Sequence, residues 1–215
     1  MDGYDYEYEW DNKYCYPNSF VLKNKLDIRE AKMLSEAERR ITGLNLLKLK
    51  DNPVRGKFDL KHLRDIHKAV FWDIYAWAGE LRIVNISKGS QFCLHQHLET
   101  YAGNIFAELK AEDLLLGKAA DEMPERLAYY LSEINALHPF RDGNGRAQRV
   151  FIEYLAQAAG FYVDFSTVSG KEMIEASMLS FEREYGMMTD MFSRILSTIP
   201  SQEQQAFRKK LGMEW

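Results

Sequence analysis

One stretch of this chain gathers the residue types that phosphoryl and nucleotidyl transfer require: His138-Pro-Phe-Arg-Asp-Gly-Asn-Gly-Arg-Ala-Gln-Arg149. His138 is the one side chain in it whose ordinary pKa lies near neutrality, which suits a general base or acid. Asp142 offers a hard oxygen ligand of the kind Mg2+ takes alongside phosphate. Gly143 and Gly145 let a backbone turn wrap an anion. A helix starting at Asn144 would aim N–H groups and the positive end of its dipole at the same place. Arg146 and Arg149 are three apart and share a helix face, and two forked guanidiniums match several phosphate oxygens. A solvated basic helix start is the bland alternative, and it leaves His138, Phe140 and Asp142 without a reason to share the loop.

The flanking sequence must hold this loop between two helices. Pro124 to Leu137 carries Leu127, Leu131, Ile134 and Leu137 at helical spacing, with Pro124 at the start where proline is tolerated. Pro139 disfavours helical geometry at His138, so that helix ends near Leu137. The next helix runs from about Asn144 to Ala159 and stops at Gly160. Upstream, Leu22 to Leu49 reads as one or two helices. Its apolar positions include Leu26, Ile28, Met33, Leu34, Ile41, Leu44 and Leu47, and Asp51-Asn52-Pro53 breaks it. Asp59 caps a run of Leu60, Leu63, Ile66, Val70, Phe71 and Ile74 that stops near Trp77-Ala78-Gly79. Phe71, Trp72 and Trp77 read as core.

Arg82 to Ile86 and Gln91 to Leu94, either side of Lys88-Gly89-Ser90, read as a short hairpin in a helical protein. His97 to Ala111, Lys171 to Ser180 and Met187 to Leu196 return to helical period. Residues 1 to 20, acidic and tyrosine-rich, read as a surface segment, flexible over 1–13. Residues 202 to 215 read as a peripheral helix or tail in which Arg208-Lys209-Lys210 forms a solvated face. One domain over 1–200 with a tail over 201–215 follows. His67 reads as a hydrogen-bonded packing residue, and His95 and His97 as surface histidines without further ligands at metal spacing.

Bulk properties agree with an ordinary globular chain. Of 215 residues, 46% are hydrophobic and 28% charged, enough for one sizeable core. A formal net charge of −4 argues against a nucleic-acid binder. Two cysteines make neither a disulfide framework nor a zinc site. No apolar run reaches the length of a membrane span, and the N-terminus lacks the pattern of a secretory signal, so a cytosolic protein is expected.

The loop resembles the Fic signature, H-x-F-x-D/E-G-N-G-R-x-x-R, at every defined position. Similarity extends over about residues 14 to 197. It includes Tyr14-Cys-Tyr-Pro-Asn18, Leu22 to Ile28, Ile66-His67, Trp77-Ala78-Gly79 and the Lys88-Gly89 hairpin. The resemblance implies a mainly α Fic-type helical bundle with a short β-hairpin flap over the active-site loop. It implies a protein adenylyltransferase that moves AMP from ATP to a Tyr, Thr or Ser hydroxyl of a target protein. In that reading His138 is the base and Asp142 holds Mg2+. The N–H groups and side chain over Gly143, Asn144 and Gly145 bind the α- and β-phosphates, and Arg146 and Arg149 hold the β- and γ-phosphates. Lys88 and Gly89 reach the nucleotide from the flap, and Ile83, Val84, Asn85, Ile86 and Ser87 dock the target segment by strand addition. Relatives that phosphorylate their targets carry Lys where this chain has Gly145, so the Gly favours AMP transfer.

The inhibitory pattern S/T-x-x-x-E-G/N has no full match; Ser180 and Glu184 have the spacing, but Tyr185 follows. A small antitoxin supplied in trans is therefore the expected partner besides the target. Expected compartments are the bacterial cytoplasm, or the host-cell cytoplasm for a translocated effector. The alternatives are an inactive protein-binding module, or phosphate or phosphocholine transfer on the same fold.

Overall fold

Burial over most of the circumference of two helices sets the architecture, each keeping one partly exposed stripe (Arg126, Tyr129 and Glu133; Arg149, Glu153 and Gln157). The computed structural model describes residues 7–8, 12–88 and 90–213. Its helices are α1 (Ala31–Asp51), α2 (Leu60–Phe71), α3 (Leu98–Ala111), α4 (Met123–Leu137), α5 (Asn144–Ala159), α6 (Gly170–Phe181), α7 (Gly186–Ile195) and α8 (Ser201–Leu211). In α4, Leu127, Ala128, Tyr130, Leu131, Ile134 and Leu137 are all buried; in α5, Ala147, Phe151, Ile152, Leu155, Ala156 and Ala158 are fully enclosed. These two helices pack on each other, and α2, α3, α6, α7 and α8 pack around them. The loop from His138 to Gly143 is their connection, so it lies largely in the interior.

The helix ends follow from local chemistry. Asp59 is the N-cap of α2 and accepts from His62 N at 2.8 Å, and Ser169 caps α6 through Glu172 N. Gly160 ends α5 in the left-handed region at φ 101°.

Two small antiparallel sheets complete the fold. β1 (Glu7–Tyr8), β2 (Ile86–Lys88) and β3 (Ser90–Gln91) lie in that order, with Tyr8 opposite Ile86 and Ser87 opposite Gln91. β4 (Phe161–Val163) pairs with β5 (Leu196–Thr198).

The mainly helical class with a hairpin flap is what the structure shows. Several local expectations are corrected. The first flap strand begins at Ile86, four residues later than the β-branched run suggests, because the Arg82 side chain is drawn into the interior and bonds Val84 O. Helix α1 starts at Ala31, since Asn24 accepts from Leu26 N and Ile28 N and holds that stretch in a turn. Tyr14 and Cys15, expected to wander on the surface, are buried, Tyr14 edge-on to Trp77 at 5.7 Å. Trp72, expected in the core, is 47% exposed and lies beneath the ammonium groups of Lys25 and Lys68. Leu44 and Leu47 on α1 are 61% and 60% exposed, because α1 meets the body chiefly through α2.

The 201–215 segment, read as a tail, contains α8, docked through Phe207 and Leu211. Within its basic run Arg208 donates to Ala158 O and Lys210 to Asp51 O, so these side chains cap helix ends.

Phe151 packs edge-on to Phe58 at 5.5 Å and tilted to Phe106 at 5.6 Å, fully buried. Phe151→Ala should cost about 3–5 kcal/mol of unfolding free energy in urea melts; a loss below about 1 kcal/mol would show that the surrounding helices collapse onto the gap.

Candidate active site

His138 sits at the break between α4 and the loop. It is the C-cap of α4 in left-handed geometry (φ 45°, ψ 59°), and its N–H still closes on Ile134 O at 3.1 Å. Its Nδ1 lies 3.3 Å from Asn135 O. A carbonyl can only accept, so Nδ1 carries the proton and the lone pair lies on Nε2, the nitrogen a base uses. Phe92, at the end of the flap, stacks on the ring with centroids 3.7 Å apart and planes 17° apart. Burial, and to a smaller degree the charges of Arg82 and Lys88, lower the imidazole from 6.5 to about 3, so it is neutral at physiological pH.

The loop is stapled by a side chain the sequence reading assigned to phosphate. Asn144 Oδ1 accepts from Phe140 N at 2.9 Å, and its Nδ2 donates to Phe140 O at 2.8 Å. Asn144 is buried and its amide makes this closure, so its side chain shapes the loop. Phe140 stacks on His67 at 3.9 Å. His67 Nδ1 accepts from Gly79 N at 2.9 Å, so its Nε2–H donates to Asp142 O, also at 2.9 Å. His67 is the hydrogen-bonded packing residue expected, and in addition fixes the Asp142 backbone. Gly143 turns at φ 80°, where an added Cβ would lie 2.3 Å from Phe71 Cζ, so only glycine fits.

Past the turn, α5 opens with Gly143 as N-cap and no side-chain cap, leaving its first N–H groups directed into the loop. The Asp142 carboxylate accepts from Gly143 N, and its side chain is 34% exposed. Burial beside the Glu38 carboxylate raises its pKa, and Arg146 offsets part of this. The two arginines differ. Arg146 Nη2 pairs with Glu38 Oε1 on α1 at 2.6 Å, its Nη1 donates to Thr42 Oγ1 at 3.2 Å, and its guanidinium lies over Phe71 at 4.5 Å. Arg149 folds back so that Nη1 comes within 3.3 Å of a Cβ built on Gly145. Burial and the Arg146 charge both lower Arg149, the mark of a positive site that an anion relieves. Both arginines line a cavity of about 430 Å3 between α1 and α5, with Gly43, Leu47, Glu153 and Asp164.

Of the flap residues expected at the site, Ile86 is buried and anchors the strand. Asn85 Oδ1 accepts from His95 N across the hairpin base. Ile83 is half-exposed and, with Val84, precedes the strand. Ser87 and Lys88 lie in β2, Lys88 near enough to His138 to lower its pKa. Gly89 lies outside the described residues. Glu38, Arg82 and Phe92 went unread in the sequence. Each belongs to a segment separate from the loop, and no local spacing marks a glutamate, arginine or phenylalanine as its neighbour.

A scan of family models matches residues 57–156 to the Fic/DOC family. The "Probable protein adenylyltransferase Fic" of Escherichia coli (strain K12) is 35% identical over 191 residues, covering 88% of this chain and 94% of that one. The chain belongs to the Fic/DOC family. It is also 39% identical over 193 residues to "Protein adenylyltransferase VbhT" of Bartonella schoenbuchensis, covering 89% of this chain but 40% of that longer protein. Among solved structures, the N-terminal Fic domain of a VirB-translocated Bep effector from Bartonella quintana, with bound ADP, superposes with a TM-score of 0.83 at 31% identity. It covers 87% of this chain and 96% of that one. BepC of Bartonella tribocorum, with bound AMPPNP, gives 0.81 at 27% identity, with 87% and 97% covered.

His67 and His138 are both held at about 3, chiefly by burial, while unfolded imidazoles titrate near 6.5. The stability this neutral burial carries is complete above 6.5 and is lost as pH falls from 6.5 toward 3. Each residue should steepen the loss by up to about 1.4 kcal/mol per pH unit. Urea melts at pH 7.5, 6 and 5 should show this fall, with a shallower slope in His67→Gln; a flat profile would contradict neutral burial.

Proposed function

We propose that this chain is a protein adenylyltransferase, moving AMP from ATP to a hydroxyl side chain of a target protein and releasing pyrophosphate. The observation that carries the proposal is His138. It is neutral, with its proton fixed on Nδ1 by Asn135 O and its lone pair on Nε2, beside a glycine turn that opens directly into the N-terminus of α5.

In the reaction the target oxygen attacks the α-phosphorus, the bond from that phosphorus to the oxygen bridging the β-phosphate breaks, and the hydroxyl proton passes to His138 Nε2. The N–H groups at the start of α5 hold the α- and β-phosphates, aided by the helix dipole. Arg149 holds the outer phosphates. Arg146 works from its fixed place on Glu38, adding positive charge. Gly145 leaves the space that Arg149 occupies, which a side chain there would contest.

The residues also suit Mg2+. Asp142 is a partly exposed carboxylate at the phosphate turn, while the nearby Glu38 has both oxygens engaged, by Arg146 and by the Tyr75 hydroxyl. Mg2+ takes one or two carboxylates together with phosphate oxygens. When bound, the ion neutralises charge on the phosphates and the leaving pyrophosphate.

The target segment adds to the flap as a strand. Among the described strands β2 is paired on both sides, by β1 and β3, so within the flap hairpin itself a target strand would add at the outer edge of β3. Lys88 and Gly89 contact the nucleotide from the hairpin turn. An antitoxin restrains the enzyme in trans by presenting a carboxylate to Arg149 from the adjoining cavity. The catalytic unit is one domain that includes the docked α8. No helix among the described residues is long and apolar enough to cross a membrane. The site of action is the cytoplasm of a bacterium, or of a host cell when the protein is translocated.

The test is incubation with Mg2+ and ATP labelled at the α- or the γ-phosphate, in bacterial and animal-cell lysates. Label from the α-position alone supports AMP transfer; label from the γ-position replaces it with phosphorylation. His138→Ala should abolish transfer while leaving ATP affinity nearly unchanged, since the base acts in the chemical step. Arg149→Ala should instead weaken ATP binding by tenfold or more, roughly the worth of one charge-assisted contact; unchanged affinity would remove Arg149 from the phosphate site.

A further inference from the structure

Arg82 is among the most deeply buried large side chains of the protein, at 1% exposure. Its acceptors are backbone carbonyls drawn from two segments. Nε donates to His138 O at 2.8 Å, Nη1 to Val84 O at 2.7 Å, and Nη2 to Cys93 O and, at 3.5 Å, to Leu137 O. The backbone adds two further bonds between the same segments: Arg82 N donates to Pro139 O at 2.9 Å, and Cys93 N to Ala136 O at 3.0 Å. Val84 and Cys93 are the two roots of the flap. Leu137 and His138 are the last carbonyls of α4, the negative end of its dipole, where a cation is stabilised.

A buried guanidinium is costly unless its donors are met, and burial lowers this one to about 10. The arrangement meets them with a flat fork whose directions are set by the side chain itself. Lysine, with three donors at a single point, spans one root of the flap or the other, not both.

We infer that Arg82 is a positioning residue that registers the flap against His138. A target strand on the flap is then delivered at a fixed distance from Nε2. Phe92, one residue before the Cys93 root, completes the registration by stacking on the imidazole. The inference rests on the transferase reading above, and deepens it by naming what sets the geometry between acceptor and base. Displacement by about 1 Å of groups that must meet in a transition state can cost about a hundredfold in rate.

The experiment compares wild type with Arg82→Lys at saturating ATP and well below melting, with far-UV circular dichroism and Tm recorded for both. Expected are an ATP dissociation constant within about twofold of wild type and a kcat for transfer to protein lower by on the order of a hundredfold. A purely structural role would lower Tm and leave kcat of the folded fraction unchanged. A folded Arg82→Lys with wild-type kcat overturns the inference. If wild type itself transfers no α-label, the transferase reading fails instead, and the two failures are told apart.

Hydrogen exchange on the unmutated chain covers the case in which Arg82→Lys does not fold. The amides of Arg82, Cys93 and His138 should open as one unit, at matching protection. Protection of the flap roots tenfold or more below that of His138 would show that flap and base move separately, and would overturn the inference.

Discussion

The connection between α4 and α5 is a buried loop, and a buried loop must find a partner for each backbone polar group. That requirement governs the site. Helix α4 breaks at His138 and α5 begins at Asn144, so most carbonyls and amides between them, from Pro139 to Asp142, lack helical partners. Three side chains from three places supply what is missing. Arg82 takes the carbonyls of Leu137 and His138, Asn144 closes both polar groups of Phe140, and His67 donates to the carbonyl of Asp142. Each is itself buried and held by packing, so the loop has one conformation. The atoms left to do chemistry, Nε2 of His138, the carboxylate of Asp142 and the first amides of α5, are placed by residues that do none.

Electrostatics follow from the same enclosure. Burial keeps both histidines neutral, which makes His67 a fixed donor and leaves His138 with an unprotonated ring nitrogen at physiological pH. The arginines are divided by their partners. Glu38 and Thr42 tie Arg146 to α1, while burial, and after it the Arg146 charge, lowers Arg149. On the transferase proposal, a polyphosphate entering beside Arg149 would meet a cation whose charged form is already disfavoured, and binding the anion would recover that lost stability.

The helices and the loop were legible because their signals are local. Pro139 after His138, the apolar period of 124–137, and Gly160 after Ala159 each act within a few residues, and the structure has its helix ends at those places. What could not be read depends on which segments meet. Asn144 reads as a phosphate ligand from its neighbours in sequence; that its amide turns back to Phe140 is a property of the turn's closure, not of residue type. Trp72 looked like core because indole is large and apolar, yet it faces Lys25 and Lys68 outside. Tyr14 looked like surface because its neighbours are polar, yet it meets Trp77 inside. The flap strands were shifted because an arginine in a β-branched run reads as a solvated strand residue, and only the assembled fold reveals four carbonyls waiting for it.

This separation of labour explains how Fic-domain structures superpose closely at about one-third identity or less. A reaction that depends on one base, one carboxylate and one helix start constrains few positions chemically. Most of the remaining constraint is geometric, and different side chains can meet it so long as the α4–α5 break stays buried and its carbonyls stay partnered. Specificity for a target then has to reside where burial imposes least. In this chain the flap is tied to the α4–α5 break at Arg82, Val84 and Cys93 and through the Phe92 ring on the imidazole, while Ser87 in β2 is only partly buried. On the transferase proposal, a change in the strands would alter which protein docks, and a change at the roots would alter whether a docked hydroxyl meets the imidazole.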